Sequence, residues 1–514
     1  MALLLVAAVL RLAPIAASLP YIDYVDEGYA LHQTIHLLNR RTFDTQWYGY
    51  PSLPAYLTAA ALIAWNPIYR RAHGRSFRRD LPREEEAQTN AGYNYDLISP
   101  PELIAAGRAV AAALSIATVF LAGVIASRLR GRAAGLMAML ITAVCPALVL
   151  RSSNVIVDTF ATFFALLAIY FSGHIRPNDI RGAAAAGLAA GLAFASKYAA
   201  GAVFAAVIMT IWQLSTSKKI RMRLSGIASG GLLFGIALGA PATLFNWRTV
   251  MRDIAVTARN YYVIRSSPGY FGQAVSAIEL EWPLMLAGVG GVILMFRRDS
   301  TRSIALSWCL FAIVLLAPFI GRPFQPFRNL LPLVPLVCIA AAIAFADLLQ
   351  WASPRKVRAI AAIALLAASA LSLACSAFPP TRQRIVHRDS RVQVISWLQQ
   401  HATKQQTVLG IRELAILPAE WKRLAATATV VPLRDAAAQL EGGHFDFVVT
   451  GEFDLRYAPD PAAATASSAR WKQMTAPLPV QIELGSGPAF VVPYLWRSND
   501  ERIVVLRSNA AKTD

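Results

Sequence analysis

A series of apolar segments, each close to the length of a membrane helix, dominates this chain. A helix needs about 20 apolar residues to cross the hydrocarbon core of a bilayer. Segments of this kind lie at 2–20, 103–127, 133–150, 154–173, 182–196, 198–214, 225–245, 282–296, 303–320, 329–350 and 358–378. Backbone polar groups in lipid must be satisfied within the segment, which leaves helices as the spanning element for such runs. Composition agrees, with 56% hydrophobic and 15% charged residues among 514, where soluble domains hold roughly 25% charged residues. The expectation is a polytopic α-helical membrane protein with about 11 transmembrane helices. The first segment has no positive region ahead of it, and its only charge, Arg11, lies inside it. It reads as a retained helix rather than a cleaved signal.

The pair 182–196 and 198–214 reads as two short helices, with the polar Ser196-Lys197-Tyr198 as the turn between them. A lysine at mid-membrane depth would be costly. Basic clusters support that division. They recur at Arg128/Arg130/Arg132, Arg176/Arg181, Lys218/Lys219/Arg221/Arg223, Arg297/Arg298/Arg302 and Arg355/Lys356/Arg358. These loops fall on one side only if both short segments span, and the positive-inside bias makes that side cytoplasmic. The net charge of +19 is therefore assigned to topology and anionic headgroups, and nucleic acid is not an expected partner.

Residues 21–101 then form a large first extracytoplasmic loop. His32–Leu38 and Leu53–Trp65 read as interfacial helices, and 72–96 as a solvated excursion. The apolar pattern stops near Phe378. Residues 1–378 read as the transmembrane module and 379–514 as an extracytoplasmic α/β domain. In that domain Val392–Leu398 reads as a helix, and 407–410 and 445–449 as strands. No glycine-rich nucleotide fingerprint follows either strand. Cys145, Cys309, Cys338 and Cys375 are widely spaced in apolar segments and read as buried thiols, without a disulfide or a zinc site.

The loop opens with Tyr21-Ile22-Asp23-Tyr24-Val25-Asp26-Glu27-Gly28-Tyr29. Three carboxylates within five residues, beside a membrane helix, mark a functional candidate. The plain alternative is an acidic helix start, in which Asp26 or Glu27 only caps the helix. Asp158, at the start of the fourth segment, lies on the same face and admits the same two readings, with cation coordination or acceptor binding as the functional one. Lys197, Arg259, Arg265 and Arg328 are basic residues on that face, against the positive-inside bias, and suit an anionic partner. Tyr29, Tyr50, Tyr261 and Tyr262 stand beside these charges as candidate substrate contacts. His32 and His36 are one helical turn apart, but surface or interfacial histidines are the expectation.

These motifs together resemble the bacterial lipid-carrier-dependent glycosyltransferases of the GT-C fold, the group that includes protein O-mannosyltransferases and aminoarabinose transferases. The resemblance spans about residues 1–378 and is carried, in order, by Asp26-Glu27-Gly28-Tyr29, Tyr50-Pro51-Ser52-Leu53, Asp158, Gly191-Leu192-Ala193-Phe194-Ala195-Ser196-Lys197-Tyr198 and Arg328-Asn329-Leu330-Leu331-Pro332-Leu333-Val334-Pro335. The chain departs from the pattern at Tyr24-Val25 and at Ser153-Asn154, and the 66–101 insertion has no counterpart. The resemblance implies a polyprenyl-phosphate-sugar donor, an extracytoplasmic acceptor and one inverting displacement. Asp26 would be the general base with Glu27 in support, and Lys197, Arg259, Arg265 and Arg328 would face the donor phosphate. A divalent cation (Mg or Mn), where used, would sit near Asp26 and Asp158. The implied location is the bacterial inner membrane, with the active site and C-terminal domain on the periplasmic face. A transporter or flippase for a lipid-linked sugar is the rival reading. It predicts two similar halves and a midplane site, and neither is visible in the sequence.

Overall fold

The computed structural model describes residues 1–22, 24, 26–82, 100–177, 179–214, 217–263, 270–323, 326–352, 356–386, 389–414, 416–451, 461–485 and 502–508, with side chains undescribed at 260–263, 270–283 and parts of 356–386 and 461. The chain opens with α1 (Ala2–Leu12), α2 (Glu27–Arg40) and α3 (Leu53–His73). Then come α4 (Pro101–Arg130), α5 (Arg132–Val144), α6 (Pro146–Ser152), α7 (Val157–Ser172), α8 (Ile180–Ser196), α9 (Val203–Leu214) and α10 (Lys218–Gly239). After a short helical turn follow α11 (Trp247–Val263), α12 (Tyr270–Arg297), α13 (Asp299–Leu316), α14 (Val334–Ala352) and α15 (Lys356–Val386).

Each expected apolar segment falls on a described helix. Four helical stretches, Pro101–Arg130, Lys218–Gly239, Asp299–Phe319 and Phe327–Ala352, are long and apolar enough to cross a membrane unaided. The other apolar helices among the described residues are shorter, at 10–17 residues, or bent. The segment expected at 133–150 is the bent one: α5 and α6 meet at 55° around Cys145. Pro146 is the cause, because it has no N–H to continue the α5 ladder. This break frees the carbonyls of Thr142 and Ala143, and the buried Arg11 guanidinium donates to both, at 3.0 and 2.9 Å. A charge inside α1 is thus held by the backbone groups that the proline leaves open.

The tightest packing joins α8 to α10. A Cβ on Gly187 or Gly191 would collide with the backbone carbonyl of Ala228 or Leu232. Small residues let membrane helices approach this closely. The contact fixes the end of α8, where Lys197 leaves the helix in an extended conformation before the 3₁₀ segment Tyr198–Ala202.

The first loop is more ordered than a solvated excursion. α3 runs on to His73, past the expected Trp65, and Phe77 is buried against Tyr69 and Leu38. Arg78 donates to the Leu38 carbonyl at 2.9 Å. Apolar anchors near residue 77 therefore fold this stretch back onto α2, while 83–99 lies outside the described residues.

α15 continues through the expected boundary at 379 to Val386. Beyond it, α16 (Ser390–His401) precedes β1 (Thr407–Ile411), β2 (Thr427–Val431), α17 (Leu433–Gly442), β3 (Phe447–Gly451), α18 (Pro461–Thr475), β4 (Val480–Leu484) and β5 (Ile503–Arg507). The sheet order is β2-β1-β3-β5-β4. β1 pairs in parallel with β2 and β3, and β5 is antiparallel to β3 and β4. Trp471, Leu398, Val408 and Val448 lie in its core. This unit touches the first loop: Arg391 stacks over the Tyr21 ring at 4.0 Å, and the Leu417 N–H donates to the Tyr21 hydroxyl at 3.5 Å.

Candidate active site

The acidic stretch enters α2 with its two last carboxylates in different places. Glu27 is the first helical residue and is fully buried. Arg108, on α4 and equally buried, grips it with two nitrogens, Nε to Oε1 at 2.9 Å and NH2 to Oε2 at 2.8 Å. The backbone N–H groups of Val155 and Tyr24 also donate to Glu27, at 3.0 and 3.2 Å. Arg108 in turn donates to the carbonyls of Ile15 and Ala17. Glu27 therefore ties together the end of the first helix, α4 and the turn before α7. Two fork-like bonds plus backbone donors satisfy the acceptor oxygens of this buried carboxylate.

Asp26 sits at the N-cap position of α2, but its side chain makes no capping bond. Its carboxylate pairs instead with Arg328, the second residue of the 3₁₀ segment Phe327–Leu333. Side-chain exposures of 14% for Asp26 and 10% for Arg328 leave the pair at the rim of the site. Arg328 NH1 also donates to the Tyr24 hydroxyl at 2.7 Å. On the Tyr24 ring lies the Arg151 guanidinium, 4.5 Å from the centroid. Burial alone would push the Tyr24 phenol up, but Arg328 and Arg151 outweigh it and hold the phenol below its ordinary value.

Asp158 and Lys197 form the floor. Lys197 Nζ donates to Asp158 Oδ1 at 2.5 Å and to Asn329 Oδ1 at 2.7 Å, and all three residues are buried. The break between α8 and α9 puts the lysine here, opposite the first turn of α7. Asn329 follows Arg328 directly, so one short 3₁₀ segment serves both the rim and the floor.

An aromatic group flanks the rim. Tyr29, one turn along α2 from Asp26, stacks on Trp47 with ring centroids 5.0 Å apart. Tyr50 packs edge-on to both, at 5.3 and 5.8 Å. Gln33 donates to the carbonyls of Trp47 and Tyr50, and the Tyr48 N–H donates to Asp253 on α11. These bonds, with the Tyr198 hydroxyl donating to the Tyr48 carbonyl at 2.9 Å, pin the loop beside the rim.

The structure thus brings Asp26, Arg328, Asp158 and Lys197 into one cluster, with Tyr29 and Tyr50 beside it. Arg259 is exposed and lies within α11 rather than in a loop. Arg265, Asp23 and the side chains of Tyr261 and Tyr262 lie outside the described residues. Tyr24, Arg151, Asn329 and Arg108 join the machinery without having been singled out from the sequence. For Arg108 a signal existed, a lone arginine in the apolar segment 103–127.

The residues do not fit a divalent cation as arranged, because Asp26 and Asp158 each face a basic side chain. Among the described residues no group of three or more His, Cys, Asp or Glu converges on a metal position.

Residues 102–245 match a family model described as dolichyl-phosphate-mannose-protein mannosyltransferase. The whole chain superposes on the crystal structure of ArnT from Cupriavidus metallidurans bound to undecaprenyl phosphate. The TM-score is 0.55 at 13% identity, covering 100% of this chain and 99% of that one. The chain has the GT-C fold of a polytopic helical membrane protein. The archaeal oligosaccharyltransferase AglB from Archaeoglobus fulgidus, in complex with an inhibitory peptide and a dolichol-phosphate, also superposes on this GT-C chain. There the TM-score is 0.51 at 11% identity, over 88% of this chain and 68% of that one. A search of curated proteins finds no match to the GT-C chain.

Proposed function

We propose that this protein is an integral-membrane glycosyltransferase that moves a sugar from a polyprenyl-phosphate carrier to an extracytoplasmic acceptor with inversion. The observation that carries the reading is Asp26: a carboxylate that does not cap its helix and stands at the rim of a buried cluster of Arg328, Lys197 and Arg151. ArnT and AglB, which share the fold, were captured with undecaprenyl phosphate and dolichol-phosphate, and this supports a lipid phosphate as the anion that the cluster receives.

In the proposed reaction the acceptor hydroxyl attacks the anomeric carbon as the bond from that carbon to the carrier phosphate breaks. The acceptor proton passes to Asp26, and the bonding electrons leave with the polyprenyl phosphate. A carboxylate within hydrogen-bond reach of the nucleophile serves such a step. Arg328 and Lys197 lie where charge builds on the leaving phosphate, and cations already in place there lower the barrier. Glu27 has the supporting role, holding the first turn of α2 so that Asp26 stays at the rim. The periplasmic face of a bacterial inner membrane is the setting that the basic-loop pattern favours, with 1–378 as the catalytic module and the α/β unit on the same side. Arg259 and Arg265 are proposed as further donor-phosphate contacts, and Tyr29, Tyr50, Tyr261 and Tyr262 as contacts to the sugar or acceptor.

Reconstitution with a radiolabelled polyprenyl-phosphate sugar and a panel of cell-envelope acceptors tests this. Label should move to acceptor with the wild-type protein and not with Asp26→Asn. Vesicles that translocate the donor without turning it over would contradict the enzyme reading.

A further inference from the structure

The cluster contains two guanidinium groups that would repel each other, and one residue stands between them. Tyr24 presents its ring face to Arg151, at 4.5 Å, and its hydroxyl oxygen to Arg328 NH1, at 2.7 Å. The same Arg328 nitrogen also reaches Asp26. Tyr24 is buried, and its own backbone N–H is held by Glu27 at 3.2 Å, so its position is set by the Glu27–Arg108 pair and not by the ligand.

We infer that Tyr24 is a positioning residue for the anionic leaving group: it anchors Arg328 and Arg151 so that Arg328 can turn from Asp26 to a lipid phosphate. This rests on the proposed carrier-phosphate reading and adds to it a role for a residue outside the basic set. A guanidinium has five N–H donors in a fixed fork. With one edge held on a phenol oxygen, it need not be re-ordered when its carboxylate partner is exchanged for a phosphate. The exchange also frees the Asp26 carboxylate from its ion pair with Arg328, leaving it open to the acceptor. The ring face does the second job. The Arg151 guanidinium lies on that aromatic face, a favourable place for a cation, so the ring orients it beside the same site.

The test is a binding titration of the detergent-purified full chain with two probes, undecaprenyl phosphate and the uncharged undecaprenol, read by native mass spectrometry. Wild type should prefer the phosphate. Tyr24→Phe keeps the ring under Arg151 and removes the oxygen under Arg328. It should lose about tenfold in phosphate affinity, the worth of one charge-assisted hydrogen bond, with undecaprenol binding unchanged. Tyr24→Leu removes both supports and should lose more. The ratio of phosphate to alcohol affinity separates this role from a merely structural one, since loss of fold lowers both affinities together. An unchanged ratio in Tyr24→Phe overturns the proposal, whatever the leucine variant does. A wild-type protein with no preference for phosphate over alcohol overturns the carrier-phosphate reading, and the Tyr24 role with it.

Discussion

Two ion pairs lie side by side at the start of α2 and differ in almost every respect. Glu27–Arg108 has no exposed side-chain surface, two fork bonds and further backbone partners on both members. Asp26–Arg328 is at the rim, with one pair contact and an aromatic hydroxyl shared on the same nitrogen. The first joins three segments far apart in sequence and has nothing left to offer a ligand. The second is the arrangement that a charged ligand can enter. Adjacent residues on a helix point in different directions, and here that turns two chemically equal carboxylates into a lock and a candidate base. Burial of a charge is thus no mark of catalysis by itself, since the deeper pair has its donors and acceptors spent within the fold.

The comparison can be broken most severely at the lock. Glu27→Gln leaves the Arg108 charge buried without its counter-charge, which costs about 3–5 kcal/mol. The expected outcome is a large drop in thermal unfolding midpoint and in yield, measured in detergent. A variant as stable as wild type would make Glu27 the more dispensable of the two. Next in size is the floor of the site. Lys197→Met removes a cation from Asp158 and from the proposed phosphate position, and transfer should fall about 100-fold. Single-turnover rates at saturating donor check this, and an unchanged rate would remove Lys197 from the leaving-group site.

The smallest effect sharpens the contrast from a third carboxylate. Glu413, in the α/β unit, is buried without a guanidinium clasp, although the Leu433 N–H donates to it at 2.9 Å. Burial pushes this carboxyl above its ordinary value, and the backbone donors and nearby arginines only partly offset that. Because the folded state holds the proton more tightly than the unfolded chain, its contribution is most favourable at acid pH. It is lost as pH rises through the unfolded and then the raised folded value. Glu413→Gln keeps an oxygen for Leu433 and should remove this slope, with stability gained near neutrality. Unfolding midpoints of the full chain between acid and neutral pH give the answer, and a slope retained in the variant would assign it to another group.

The residues differ in how far the sequence revealed them. Apolar run length marks the helices without knowledge of their partners, and the Ser196-Lys197-Tyr198 interruption marks the break between α8 and α9. Asp26, Asp158, Lys197 and Arg328 stand out because charge is rare beside apolar segments. Their pairing does not stand out, since Arg108 meets Glu27 across 81 positions and Lys197 meets Asn329 across 132. Tyr24 and Asn329 are neutral and carry no composition signal at all. Phe77 and Arg78 show the same limit in the first loop: a basic-acidic stretch reads as solvated until one aromatic residue finds a buried place. The bend at Pro146 was available from residue type alone, but an apolar run of ordinary length hid it.

One measurement bears most directly on the central claim, that Asp26 and not Glu27 does the chemistry. The Asp26→Asn protein should unfold at nearly the wild-type temperature and bind undecaprenyl phosphate, yet transfer sugar about 10²–10⁴ times more slowly. A variant that folds, binds the carrier and transfers sugar at the wild-type rate would contradict it.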